Sequence, residues 1–289
     1  MNIQMLTAST TMAQLQKKLD ISANNIANVN TNGFKRSEAV FQDLLTQTIK
    51  QQPNGAAEVG RTTPHGLRVG SGARISQTTF RMEQGTAIQT GVPTDVMLKG
   101  DNIFFRTLNK WTDGNGDIQT ENLYTRSGNF SFTPVPDEQG LVRLTTPKGN
   151  PVLNADGEEI VIPGHYESVN IDKMGTIRAY YPGSNEPIVE TIGVALVERT
   201  DMLQGVGDNQ FRLGTSADEM LANGQLRFFD LLTEGNPNLG MESGMLEGSN
   251  VDLATEMTEI MSTQRLMQFQ SKAIQMADDM MGLATSIRG

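Results

Sequence analysis

Apolar residues recur every seven positions at both ends of this chain, while the long middle lacks that period. Near the start, Met5, Met12, Leu19 and Ile26 are seven apart, with Ala8 and Leu15 at the offset positions. Near the end, Leu253, Ile260, Met267, Ile274 and Met281 repeat the spacing. Such stripes predict amphipathic helices that need a partner helix, either each other or a second copy of the chain. The first helix is expected over Gln4–Ala27. It should end where Asn28, Asn30 and Asn32 compete with helical hydrogen bonds and Gly33 supplies a permissive turn. The last is expected over Asn250–Ile287, a span of roughly 55 Å.

The last helix carries two stripes. One is Leu253, Met257, Ile260, Gln264, Met267, Ser271, Ile274, Asp278 and Met281. The other is Leu266, Phe269, Ala273, Met276, Met280, Leu283 and Ile287. They lie about 100° apart, because Leu266 and Met267 are neighbours. Burying a large apolar side chain contributes roughly 1.5–3 kcal/mol. Ordering the backbone costs about 1–2 kcal/mol per residue. The first term acts only where a stripe is covered. The N-terminal helix has one good stripe, so it covers one of the two. The stripe from Leu266 to Ile287 is left for neighbouring copies. Gln264, Ser271 and Asp278, inside the first stripe, would act as polar pins of register.

Between the helices the pattern shortens. Phe34–Lys50 holds a second short amphipathic piece with Phe41, Leu44, Leu45 and Ile49 apolar. From Gln51 to Gly91, turn signals at Pro53-Asn54-Gly55, Pro64-His65-Gly66 and Gly70-Ser71-Gly72 alternate with short extended stretches. This reads as a connector of β-ribbon character. From Val92 to Phe229 short strands are expected at Asp95–Leu98, Ile103–Leu108, Leu123–Thr125, Phe130–Thr133, Val142–Thr145, Glu159–Ile162, Val169–Ile171, Ile177–Tyr180 and Ile192–Val197. Turns separate them, and the pattern is that of an all-β barrel or sandwich. The fold class is therefore α+β: paired, coiled-coil-like terminal helices and a central all-β domain joined by an extended β-ribbon connector. The domain division expected is 1–31 with 250–289 as the helical assembly domain, 32–92 with 230–249 as connector, and 93–229 as the β domain.

Composition narrows the chemistry. The net charge is -10 over 289 residues, and the basic clusters are only Lys17-Lys18 and Lys35-Arg36, which argues against nucleic acid. The chain has no cysteine, so thiol catalysis, disulfides and cysteine-bound zinc are excluded, and passage between compartments unfolded is compatible with it. No run of about 18 apolar residues predicts membrane insertion. The first residues show no basic segment followed by an apolar one, so no cleavable signal peptide is expected. His65 and His165 both sit beside glycine in turns. Asp113, Asn115 and Asp117 resemble the start of a calcium loop, but Tyr124 stands where a bidentate glutamate is needed, so a hairpin turn is the better reading. Trp111 and Tyr180-Tyr181 read as packing residues. No catalytic, cofactor-binding or metal-binding residue emerges, and no cofactor is expected.

The segment Ser22-Ala23-Asn24-Asn25-Ile26-Ala27-Asn28-Val29-Asn30-Thr31-Asn32-Gly33-Phe34-Lys35-Arg36 resembles the N-terminal signature of the bacterial flagellar rod and hook axial proteins. Gly244-Met245-Leu246-Glu247-Gly248-Ser249-Asn250-Val251-Asp252-Leu253, followed by Gln264-Arg265 and Ser271-Lys272, resembles the C-terminal one. Where that family usually has Ala-Tyr after Gln-Arg, this chain has Leu266 and Met267, with Phe269 nearby. Pro64–Gly72, Asp95–Gly100 and Tyr124–Phe130 resemble the connector and β-domain landmarks of the family's distal rod members. The resemblance implies a subunit of the basal-body rod or rod–hook junction, exported through the flagellar channel. It would polymerise with copies of itself and with other rod and hook proteins into a hollow torque-transmitting tube. Asn24, Asn25, Ile26, Asn28, Gly33, Phe34, Asn250 and Val251 are its motif residues. A hook or proximal rod subunit is the alternative within the family. A secreted β-rich enzyme or carbohydrate-binding module is the alternative outside it, and requires convergent carboxylates or an aromatic platform in a cleft.

Overall fold

The computed structural model describes residues 3–43, 46–49, 67–70, 72–114, 116–135, 140–183, 186–214, 217–229, 231 and 239–288. Two compact units emerge, each drawing on both halves of the chain. One holds 1–27, 37–79 and 252–289, and the other holds 28–36 and 80–251.

The first unit is built on two helices, α1 (Ile3–Ala27) and the C-terminal helix, here α3 (Leu253–Arg288). They pack antiparallel, since Asn25 reaches Glu256 and Lys18 reaches Glu259. On α1 the covered positions are Ala8, Leu15, Ser22 and Asn25, while Met5, Met12, Leu19 and Ile26 are half-buried beside them. The seam on α3 is Glu256, Ile260, Thr263, Met267, Gln270, Ile274 and Ala277, all buried or half-buried and spaced alternately four and three apart.

This seam corrects the expected stripe. Ile260, Met267 and Ile274 belong to it, but Leu253 (41% exposed), Met257 (50%) and Met281 (41%) do not. Gln264, Ser271 and Asp278 are exposed, so the expected polar pins lie outside the seam. The face has turned by a fraction of a helical turn, toward small and hydrogen-bonded residues. Thr263 and Ala277 admit a close approach, and Glu256 accepts the Asn25 amide at 3.2 Å. The second stripe stays uncovered within the chain, with Leu266, Phe269, Met276, Met280 and Leu283 between 50% and 65% exposed. The Ile287 side chain lies outside the described residues.

The expected amphipathic piece after Phe34 is extended. It forms β1 (Ser37–Asp43) and β2 (Thr46–Ile49), which pair with β4 (Ala73–Phe80) and β3 (Leu67–Gly70) respectively. Val40 and Phe41 are both exposed, as adjacent residues on opposite faces of a thin two-stranded element can be. The start of β4 lies on α1, where Ile75 N donates to Gln14 Oε1 at 3.0 Å and Gly72 faces Thr7, Thr10 and Thr11. Leu44, Leu45 and the turn signals from Pro53 to Gly66, with His65, lie outside the described residues.

The second unit is β-rich. Its strands are β5 (Ala87–Gln89), β6 (Val96–Lys99), β7 (Ile103–Thr112), β8 (Ile118–Thr125), β9 (Ser131–Pro134), β10 (Leu141–Thr145), β11 (Val161–Pro163), β12 (Ser168–Ile171), β13 (Thr176–Tyr180), β14 (Ile188–Thr191), β15 (Val194–Val197), β16 (Leu203–Gly207), β17 (Gln210–Leu213), β18 (Leu226–Phe229), β19 (Gly240–Ser243) and β20 (Met245–Glu247). A six-stranded sheet in the order β16-β17-β8-β7-β15-β18 is the frame. Sheets β11-β10-β9 and β12-β13-β14 and pairs β19-β6 and β20-β5 complete the unit. The main sheet is open at β16 and β18 rather than closed into a barrel.

Burial on both faces explains the uninterrupted apolar run Ile103-Phe104-Phe105, every residue of which is fully buried. Alternation sends Ile103, Phe105 and Val194 to one core with Val96, Leu98, Leu144 and Ile177. Phe104, Ala195 and Val197 go to the other, with Tyr124, Phe211 and Met220 of the short helix α2 (Ala217–Ala222). Phe105 meets Phe130 edge to face with centroids 4.8 Å apart. Phe105→Ala should therefore cost about 3–5 kcal/mol, whereas Val189→Ala at an exposed position should stay within about 0.5 kcal/mol; denaturant midpoints of the β unit check both.

Candidate functional site

The most unusual chemistry of the β unit is a buried ion cluster assembled from three distant parts of the chain. Lys35, Arg126 and Glu247 have side chains at most 1% exposed. Lys35 Nζ donates to Glu247 Oε1 at 2.8 Å and to the carbonyls of Glu83 (2.7 Å) and Met82 (3.4 Å). Arg126 Nε donates to Glu247 Oε2 at 2.8 Å, and Nη2 to Oε1 at 3.3 Å. Its Nη1 donates to the carbonyls of Gly100 (2.9 Å) and Ile103 (2.7 Å). Gly85 N adds a further donor to Glu247 Oε1 at 2.9 Å. The carboxylate is held as a bidentate partner of a guanidinium, the geometry in which such pairs are strongest.

Local structure explains how the three arrive. Glu247 ends β20, which runs antiparallel to β5 with Leu246 opposite Ile88 and Glu247 opposite Ala87. Arg126 follows directly on β8. Lys35 follows Gly33, whose φ of +69° and whose N–H, donating to the Glu247 carbonyl at 2.7 Å, set the chain's path. A Cβ at Gly33 would lie 2.5 Å from Ser127 N. At Gly85 it would lie 2.0 Å from the Gly248 carbonyl oxygen. Both glycines are required by close approach of backbones.

Asn250 completes the junction. Its Oδ1 accepts from Arg36 N at 2.7 Å, and its Nδ2 donates to the carbonyls of Arg81 (2.8 Å) and Glu83 (3.0 Å). In the helical unit Asn25 does the same work. Its Oδ1 accepts from Ser37 N at 3.0 Å, and its Nδ2 donates to Ser37 O at 2.9 Å and to Glu256. Of the other motif residues, Asn28 Oδ1 accepts from Thr31 Oγ1 at 3.2 Å, Phe34 and Ile26 are half-buried, Val251 is buried and Asn24 is exposed. Lys35, Arg126 and Glu247 were not among the site residues expected from sequence. The available signal was a charged residue embedded in Gly-Met-Leu-Glu-Gly.

The electrostatics have a definite sign. Burial pushes the Glu247 carboxyl up, but Arg126 and then Lys35 outweigh it and hold the carboxyl below the ordinary glutamate value. Burial and then Arg126 pull the Lys35 ammonium down, against the attraction of Glu247. Elsewhere the Tyr124 hydroxyl is pushed up to about 12 by burial. A cleft lined by Asn30, Asn32, Ser127, Asn129 and Asn209 contains one carboxylate, Asp208, which pairs with Lys148, and no aromatic ring. It offers neither the convergent carboxylates nor the aromatic platform required of an enzyme or sugar-binding module. Trp111 is 44% exposed, His165 lies against Tyr181, and Asp113 and Asp117 close a hairpin turn through Asp113 N to Asp117 O at 2.8 Å. Among the described residues no three His, Asp or Glu side chains gather to hold a metal ion. No helix among them is long and apolar enough to cross a membrane.

Two outcomes are expected. Gly33→Ala should destabilise the β unit by at least about 2 kcal/mol, since a left-handed non-glycine residue alone costs roughly 1–2 kcal/mol and the Ser127 backbone blocks the methyl group. Glu247→Gln should cost about 3–5 kcal/mol at neutral pH by leaving two buried cations without their anion. Because the folded carboxyl titrates below its unfolded value, its contribution is fully present above about pH 5. It is lost as pH falls through the folded value, so the stability gap between wild type and Glu247→Gln should narrow with acid. Chemical denaturation between neutral and acidic pH measures that gap.

Comparison with known proteins then identifies the chain's relatives. Residues 5–35 match the family described as Flagella basal body rod protein. Residues 104–179 match the Flagellar hook protein FlgE/F/G D1 domain, and residues 242–287 the Flagellar basal body rod FlgEFG protein C-terminal domain. The Flagellar hook-basal body complex protein FlhP of Bacillus subtilis is 33% identical over 286 residues, spanning 98% of both chains. The Flagellar basal-body rod protein FlgG of Caulobacter vibrioides is 33% identical over 284 residues, again 98% of both. That of Borreliella burgdorferi is 32% identical over 286 residues, 98% of this chain and 97% of its own. The two terminal matches bracket the segments that meet around Glu247, and the chain belongs to the family of flagellar hook and basal-body rod proteins.

Proposed function

We propose that this protein is a structural subunit of the bacterial flagellar basal-body rod, at the distal rod or rod–hook junction. It assembles through its terminal helices into a hollow helical tube that transmits torque and passes exported subunits. The observation that carries the reading is the uncovered face of α3. Leu266, Phe269, Met276, Met280 and Leu283 are each at least 50% exposed in one chain, and only a neighbouring copy would cover them. Monomeric proteins rarely present a contiguous apolar strip of this kind.

The helical unit serves as the assembly domain, with the two helices packed in coiled-coil fashion and the paired strands β1 to β4 as a ribbon connector. Copies of the same chain and other rod and hook proteins are its partners, and the flagellar export apparatus delivers it. The role is structural and not enzymatic, which accords with a family of rod proteins. A hook or proximal rod subunit remains the second reading, favoured by the hook-basal body complex name of one full-length relative.

Phe269→Asp with Met276→Asp places two charges in the exposed strip without touching the seam against α1. The variant should keep the circular dichroism and denaturant midpoint of the β unit. Its concentration for forming sedimentable polymer should rise at least tenfold, as about 1.4 kcal/mol of lost contact suffices for that. Polymer formation at the wild-type concentration would contradict the proposal.

A further inference from the structure

The β unit takes its last two strands from the end of its own sequence. Residues 240–243 pair as β19 with β6, and 245–247 as β20 with β5, burying Met241 and Leu246. The same segment brings Glu247, which lies 212 residues from Lys35 and 121 from Arg126 along the chain. Among the described residues, the ion pairs of both buried cations are with this one carboxylate.

A β unit that closed without residues 240–251 would therefore place an ammonium and a guanidinium side by side with no carboxylate paired to either. Removing one partner of a buried pair shifts a folding equilibrium by roughly a hundred- to several thousandfold, because the remaining charge is desolvated without compensation. Two cations against one anion make the penalty for premature closure larger than a single orphaned charge. Replacing such clusters by apolar residues of similar volume is commonly neutral or stabilising, so the cluster's distinctive effect is on which compact states are allowed.

We infer that the Lys35–Glu247–Arg126 cluster is a completion lock, which keeps the β unit open until its C-terminal segment arrives and then closes core and segment together. The inference rests on the β unit alone and stands or falls separately from the assembly reading.

Pulse-labelled hydrogen exchange during refolding of the full chain tests it. The core is reported by the amides of Leu153 and Val197, which donate to Arg106 O and Asn102 O. The segment is reported by those of Gly244 and Gly248, which donate to Asp95 O and Thr86 O. In the wild type both sets should gain protection in one kinetic phase. In the apolar triple variant Lys35→Met, Arg126→Met, Glu247→Leu the core should become protected ahead of the segment, by about tenfold in rate or more. In Glu247→Gln, equilibrium protection of Val197 should fall about a hundredfold or more. Core protection preceding the segment in the wild type overturns the lock by itself, whatever the variants do. So does a triple variant in which the two sets remain locked in one phase, or a Glu247→Gln protein with wild-type protection.

Discussion

A single carboxylate, held between two cations and buried with them, is the constraint on which the β unit depends. Glu247 is acceptable there only because every one of its strong interactions is satisfied. Two donors come from Arg126, one from Lys35 and one from the Gly85 backbone. The cations in turn spend their remaining protons on main-chain carbonyls of Met82, Glu83, Gly100 and Ile103. That arrangement dictates its surroundings. Gly33 and Gly85 have no side chain because neighbouring backbones must come within what a Cβ would occupy. Asn250 has a carboxamide because one backbone N–H and two carbonyls need a partner of both polarities at once. What looks in sequence like two separate terminal signatures is, in the β unit, one hydrogen-bonded junction.

The helical unit follows a related logic with weaker forces. Asn25 crosslinks its own helix to the start of β1 and to Glu256, again by using both ends of a carboxamide. Around it the seam is built from small residues as much as large ones, with Ala8, Ser22, Thr263 and Ala277 among the buried positions. A seam of that composition leaves its large apolar members, Ile260, Met267 and Ile274 among them, only half-buried. The larger apolar side chains of α3 point elsewhere. Intrachain pairing and the surplus apolar face are therefore complementary consequences of one rotation of α3 about its axis.

Much of this was legible in the sequence, and the gaps have physical reasons. Both terminal helices follow from period and from the Asn-rich stop after Ala27, and most strands from Ile103 to Val197 follow from short apolar runs between turns. On α3 the seam keeps Ile260, Met267 and Ile274 of the expected stripe but takes Glu256, Thr263, Gln270 and Ala277 in place of Met257, Gln264, Ser271 and Asp278, because hydrophobicity alone cannot see that Thr263 and Ala277 favour close packing. Phe34–Lys50 was read as amphipathic without an element type, since four apolar residues, Phe41, Leu44, Leu45 and Ile49, are too few to separate period 2 from period 3.6. Strands β16 and β17 went unread because Gly205 and Gly207 weaken the pattern of one, and the left-handed Asp208-Asn209 turn between them carries no glycine. The ion cluster left no periodic trace at all. Its members are far apart in sequence, and each looks locally like an ordinary solvated charge.

On the proposed assembly, the strip from Leu266 to Leu283 on α3 is where one subunit meets the next. The chain has no cysteine, so introduced thiols report without background. Phe269→Cys and Leu283→Cys, each placed singly in the otherwise wild-type chain and exposed to a small thiol reagent before and after polymerisation, measure directly whether that strip becomes covered. Both thiols should react freely in the dilute monomer and be strongly protected in the polymer. Full-length polymer in which both thiols react as fast as in the monomer would overturn this assignment.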